Sequence, residues 1–450
     1  MTRAVQPEVI RLTVPNASIP EDPAPGVEPR PRSVTSGLTA GAGFFAANTS
    51  IACLWGSEWP VTAKMLAVVV MTAAAMMVVE VRQGSLLLPR PGSARGPLFS
   101  LACLNRLFRK AIALASIILG VAFLYAIFPE YSAAFYGRFW EMLRLAAPVL
   151  AIAVPFYLIY VDAGQADPED AYAQLGALLT AQSVPHEWDS VRNLLLGWLV
   201  KAFFLPIMAV YLCGNLEALW ATEWAQLTTM KGVWDSSYNY LFLIDLLWAV
   251  VGYSCTLRLL GTEIRSVEST VGGWVTCLVC YQPFVGLLGS AYLASESDHF
   301  YWGNLTEPYP VLCALWGGTI LVLTAIYVWA TVSFGLRFSN LTNRGIITSG
   351  PYRWTKHPAY ITKCISFWLI SIPFLSTQGW WAAVSQSVLL AAGNAIYYAR
   401  AKTEERHLSK EPAYRDYAAY IAKHGLLARI AKFVTRRWSR TDFAADFHRR

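Results

Sequence analysis

Apolar residues in this chain come in blocks of about twenty, the length a helix needs to cross the hydrocarbon core of a bilayer. The stretch ILVLTAIYVWATV, inside one such block at 311–333, is typical. No other feature constrains the fold as strongly. In lipid every backbone amide and carbonyl must be paired within the protein, so uninterrupted apolar blocks of this length fold as helices. The composition agrees, with 55% hydrophobic and only 14% charged residues, where a soluble domain carries about a quarter charged. An all-α, polytopic integral membrane protein is expected.

Ten candidate spans follow from the blocks, at about 37–55, 61–80, 111–129, 143–161, 193–213, 239–258, 271–293, 311–333, 361–376 and 380–399. Residues 1–35, rich in proline and polar side chains, have too little apolar surface to bury a core and read as a disordered tail. Lys and Arg gather in the 81–110 loop, the 337–360 loop and the C-terminal end, whereas 295–310 has none. Ten alternating spans place the basic segments on one side, the cytoplasmic one, together with both termini. The 162–190 loop falls on that side too, although it is acidic and carries no Lys or Arg. The net charge of +7 therefore borders the membrane segments and does not form a nucleic-acid-binding stripe.

The eight cysteines lie in or beside apolar blocks and form no disulfide framework. Cys277 and Cys280 make a C-x-x-C without a second pair or a nearby histidine, so packing is expected and no metal site. Two charges interrupt the spans, Lys201 and Asp245. Ionisable groups at that depth are costly and usually paired or functional. A structural ion pair between adjacent helices is the expectation, with an ion path or snorkelling of Lys201 as alternatives.

The polar features concentrate after about residue 300. TNRGIITSGPYRWTKHPAYITK, residues 342–363, is basic and aromatic, and its glycines and prolines make a stiff loop entering the next span. By itself it reads better as an interfacial anchor of Tyr, Trp, Lys and Arg. Its partner is NAIYYARAKTEERHLSKEPAYRDYAAY, where Arg400 and Glu404 stand at i and i+4 on a helix continuing out of the last span. Two such elements flanking a helical hairpin suggest one site built across it.

The ordered set G-P-Y-x-x-x-K-H-P-x-Y, two apolar spans, R-x-K-T-E-E and a downstream Y-x-x-Y resembles the isoprenylcysteine carboxyl methyltransferase family, which overlaps with the membrane phospholipid methyltransferases. The resemblance covers about residues 305–430. It implies a helical methyltransferase core over 301–450 with a basic cytoplasmic tail, preceded by a transmembrane region over 36–300 whose role is open. It also implies S-adenosylmethionine as methyl donor, and a lipid or lipidated acceptor taken from the bilayer. Carried over by position, it implies donor contacts from Arg344, Gly345, Ile346, Ile347, Tyr352, His357, Pro358, Ala359, Tyr360 and Glu404, with Arg400 approaching the acceptor. Lys356 departs from the family pattern, which usually has arginine before His-Pro; the charge is kept but not the planar fork. The alternatives are a sterol-reductase-like oxidoreductase and a transporter or scaffold with a vestigial cofactor domain.

Overall fold

The computed structural model describes residues 30–84, 100–165, 168–285 and 302–435. Its helices are α1 (Gly37–Cys53), α2 (Val61–Arg82), α3 (Leu101–Ile127), α4 (Gly137–Gly164), α5 (Ala171–Leu179), α6 (Trp188–Trp220) and α7 (Met230–Ser254). The chain continues through α8 (Val271–Leu278), α9 (Trp302–Thr306), α10 (Pro310–Val332), α11 (Pro358–Ser371), α12 (Trp380–Leu408) and α13 (Pro412–His424). Starts are set by local chemistry. Ser36, Ser100, Asp170, Thr229 and Thr270 accept from the third amide beyond them, while Pro310, Pro358 and Pro412 occupy first-turn positions where the missing N–H costs nothing.

Every predicted apolar segment coincides with a helix over part or all of its length. The seventh does so only at its start, because α8 ends at Leu278, leaving Cys280 in a turn; residues 286–293 of that segment lie outside the described residues. Among the described residues five helices are long and apolar enough to cross a membrane: α2, α3, α4 with the turn before it, α6 and α10. The predicted total of ten is larger because α1 and α11 are short, at 17 and 14 residues, and α7 and α12 carry more polar side chains. Outward faces are apolar, as at Leu119, Phe123, Val149, Ile152 and Phe156, the last 69% exposed. A lipid-facing surface explains such exposure, because hydrocarbon replaces a protein partner.

The core runs across the chain's midpoint. Trp248, Phe204, Tyr253, Met65 and Met76 are its largest buried side chains. Phe204 stacks on Tyr253 with centroids 5.6 Å apart, and the Trp248 indole donates to the Val332 carbonyl (3.1 Å). On α2, Glu80 accepts from both terminal nitrogens of Arg337 (3.1 Å each) and from Thr39 (3.0 Å), all buried. A two-residue antiparallel ladder, Ser266–Val267 (β1) with Thr342–Asn343 (β2), brings the loop after α7 to the loop after α10. The region over 36–300 thus shares one interior with the segment that follows it.

Three expectations change. Lys201 and Asp245 do not pair. The Lys201 ammonium sits 3.8 Å from the Trp198 centroid and donates to Thr256 (3.4 Å). Asp245 instead accepts from the Tyr327 (2.5 Å) and Thr331 (2.6 Å) hydroxyls of α10. Packing of α7 against α10 settles this, since it offers Asp245 two nearer donors. Second, residues 30–35 are held in place, although the sequence assigned them to the tail; residues 1–29 lie outside the described residues. The Val34 amide donates to the Ile346 carbonyl (3.2 Å) and Thr348 donates to the Pro31 carbonyl (2.7 Å).

Third, the acidic 162–190 loop is no anomaly. Asp162 pairs with Arg106 (2.7 Å) and Lys110 (2.9 Å), Asp170 with Lys110 (2.9 Å), and Glu169 with Arg109 (2.7 Å). The loop's carboxylates neutralise the basic start of α3, and the contact puts both on one side.

Candidate active site

The loop between α10 and α11 is shaped by glycines with left-handed backbones. Gly350 has φ +59°, and a Cβ there would stand 2.1 Å from the Ser333 hydroxyl; at Gly345, with φ +102°, one would meet Val34 at 2.8 Å. Only glycine fits without displacement. From the far end, α13 buckles this loop down. The Tyr417 hydroxyl donates to the Tyr352 carbonyl (2.7 Å), the Leu426 amide donates to the Trp354 carbonyl (2.7 Å), and Tyr414, Tyr417 and Ile421 pack on Ile346.

The loop roofs a cavity lined by residues of α8, α10, α11 and α12. Helix α12 runs unbroken to Leu408, so Arg400 and Glu404 share a face and both line the cavity. Glu404 accepts from the Tyr360 hydroxyl (2.9 Å). The His357 ring lies parallel to that of Tyr360, with centroids 5.5 Å apart and planes 13° apart. Arg400 is buried; it donates to the Asn340 side chain (2.7 Å) and lies against the Tyr360 and Tyr281 rings at 5.3 and 5.6 Å.

Glu405, one residue on, does a different job. It takes Lys356 (2.5 Å), His357 (3.0 Å) and Lys402 (3.0 Å) together, tying the loop to α12. Burial alone would raise its carboxyl, but hydrogen bonds from Lys356 and Lys402, the Lys356 charge and a hydrogen bond from His357 pull it down to about 2. His407 is buried beside Ser266 (3.2 Å) and is held below the usual imidazole value by burial and Lys410, against the opposing pull of Glu268 and Glu404. Its Nδ1 and the Glu268 Oε2 are buried in the cavity wall without a partner among the described residues.

Of the residues singled out in the sequence, Tyr352, His357, Ala359, Tyr360, Arg400 and Glu404 line this one cavity. Arg344, Gly345, Ile346, Ile347 and Pro358 are not in its wall. Arg344 is buried with its guanidinium spent on backbone carbonyls, those of Thr262 (2.7 Å), Gly252 (2.8 Å), Phe338 (3.0 Å) and Cys255 (3.0 Å). It clamps the loop after α7 to the one after α10. Lining residues missed by sequence reasoning include Tyr281, Asn340, Lys363 and Tyr397. Tyr397 and Lys363 had a signal, since each falls one helical turn from a residue already chosen. Tyr281 had none, because it comes from beyond α8, far away in sequence.

Fold and site together define a multi-pass helical membrane protein with a polar, aromatic-walled cavity beneath a loop at the ends of its spans. Residues 312–410 match the family model described as the isoprenylcysteine carboxyl methyltransferase (ICMT) family. That C-terminal part is accordingly similar to the membrane methyltransferases of that family. The match takes in the roof, Arg400 and both glutamates, and leaves Tyr281, Glu268 and the α13 buckle outside it. No curated protein and no solved structure matches the chain.

Proposed function

We propose that this protein is an S-adenosylmethionine-dependent methyltransferase acting on a lipid or lipidated acceptor, a prenylcysteine-like carboxylate or an anionic head group, at the cytoplasmic face. One observation carries the reading: Tyr352, His357, Tyr360, Arg400 and Glu404, drawn from two distant stretches of the matched segment, converge on a single cavity. The donor set fits the group. A carboxylate (Glu404) answers the donor's amine or ribose hydroxyls, aromatic faces suit adenine and a sulfonium cation, and the unpaired His407 and Glu268 atoms offer further polar contacts.

The donor supplies, when bound, an electrophilic methyl group. What the chain contributes is position. Tyr360 holds Glu404 by a hydrogen bond, Glu405 holds Lys356 and His357, and the glycine-shaped roof closes over them. Arg400, fixed by Asn340, presents its fork to an acceptor oxygen, and near-attack geometry then accounts for most of the catalysis. An anionic oxygen needs no general base. The residues over 301–450 form the catalytic part in this reading, with the earlier helices as its scaffold. The positive-inside bias of the basic loop segments supports a cytoplasmic site.

Titration of purified protein with S-adenosylmethionine in a calorimeter tests the reading. Wild type binds, and Glu404→Ala weakens binding at least about tenfold, ~1.4 kcal/mol, at an unchanged melting temperature. Wild-type protein that is folded yet takes up no donor, with membranes that transfer no tritiated methyl to lipid, would overturn it.

A further inference from the structure

Lys363 lies one turn into α11, on the cavity wall. Its ammonium faces three aromatic rings, those of Tyr327 (5.3 Å), Tyr397 (5.6 Å) and Phe367 (5.9 Å). It forms no ion pair or hydrogen bond with another described residue. The interior carboxylate Asp245 is within electrostatic reach of Lys363 but makes no direct ion pair with it, its oxygens accepting from the Tyr327 and Thr331 hydroxyls. Ring faces attract a cation but do not give the half-buried ammonium the directed oxygen contact of a paired anion. Arg400 is in a like condition, against Tyr360 and Tyr281 with a neutral amide as its partner. Tyr360 and Tyr397, with centroids 6.0 Å apart, join the two cation-bearing walls.

We propose that Lys363 is a specificity-determining residue that, with Arg400, selects an acceptor bearing an anionic oxygen head group on an apolar chain. The inference rests on the methyltransferase reading and deepens it. Lys363 supplies the charge, and Arg400 supplies the directed fork. Methylation forms one O–C bond as one S–C bond breaks, its electron pair remaining on sulfur; no proton moves. The head group thereby loses one negative charge of those on which Lys363 acts, a carboxylate becoming neutral and a phosphate monoester keeping one. The same lysine that recruits the acceptor therefore has less hold on the product, and release is built into recognition.

Binding to purified full-length protein decides it without turnover. The probes are S-farnesylcysteine against its methyl ester, and vesicles of phosphatidic acid against vesicles of phosphatidylcholine. Wild type prefers at least one anionic member, and which one tells a prenylcysteine carboxylate from a lipid phosphate. Lys363→Gln reduces that preference roughly tenfold, and Lys363→Arg retains it. Donor binding is measured in parallel and stays unchanged in Lys363→Gln. An anion preference that survives in Lys363→Gln, or its absence from wild type, overturns the proposal. Absent donor binding in wild type instead overturns the methyltransferase reading, and the lipid preference is still read.

Discussion

Neighbouring glutamates on α12 are divided by little more than a quarter turn of helix. Glu404 points at Tyr360 inside the cavity, while Glu405 gathers Lys356, His357 and Lys402 at its rim. The titration of Glu405 separates from that of His407. A carboxyl lowered from 4.5 to about 2 contributes stability that is complete above its unfolded value and lost as pH falls through its folded one. His407, lowered from 6.5 by burial, has the same sign: its contribution is present above 6.5 and lost on acidification through the folded value. Melting temperature is thus expected to fall between pH 7.5 and 5.5, roughly the range set by an imidazole, and to fall less in His407→Gln. Glu405→Gln should alter only the further loss below about pH 4.5. Identical profiles for wild type and His407→Gln above pH 5 would contradict the assignment.

At the scale of elements, the roof is a loop held by what surrounds it. Gly350 permits the turn, Tyr417 of α13 and Leu426 just beyond it fasten it, and Glu405 fastens it from α12. Gly350→Ala adds a left-handed penalty of about 1–2 kcal/mol and forces a methyl into the Ser333 hydroxyl. It should lower the melting temperature and weaken donor binding together. Tyr417→Phe keeps the ring and removes hydrogen bonds worth about 1 kcal/mol; proteolysis within 345–360 should rise while the rest of the fold is unaffected. A Gly350→Ala protein as stable and as tight-binding as wild type would show that the turn does not frame the site.

Across the whole molecule, the matched segment is welded to the helices before it. The Arg337–Glu80 pair is buried on both sides, at 5% and 2% side-chain exposure. Breaking such a pair costs about 3–5 kcal/mol because one charge is left uncompensated. Arg337→Met is therefore expected to express poorly and to melt early. Arg337→Met with Glu80→Leu should recover much of the loss, by thermal melting of detergent-solubilised protein. If the double variant were no better than the single one, the buried charge would not be the cause.

The sequence by itself determined the helical class, the positions of most helices and the segments that carry the chemistry. Block length and backbone pairing in lipid leave little choice there, and G-P-Y, K-H-P-x-Y and R-x-K-T-E-E are local signals. Arg400 and Glu404 on one helical face were legible for the same reason, being four residues apart on a helix that continues beyond the apolar block. Tertiary structure alone decided which partners those residues take. Asp245 went to two α10 hydroxyls and not to Lys201; Arg344 went to backbone carbonyls and not to the cavity wall; Lys363, one anchor residue among several in the sequence, came to face the cavity among three rings. The physical reason is that a charged side chain takes the nearest group able to replace water. Which group is nearest depends on how helices distant in sequence pack, and no local pattern encodes that.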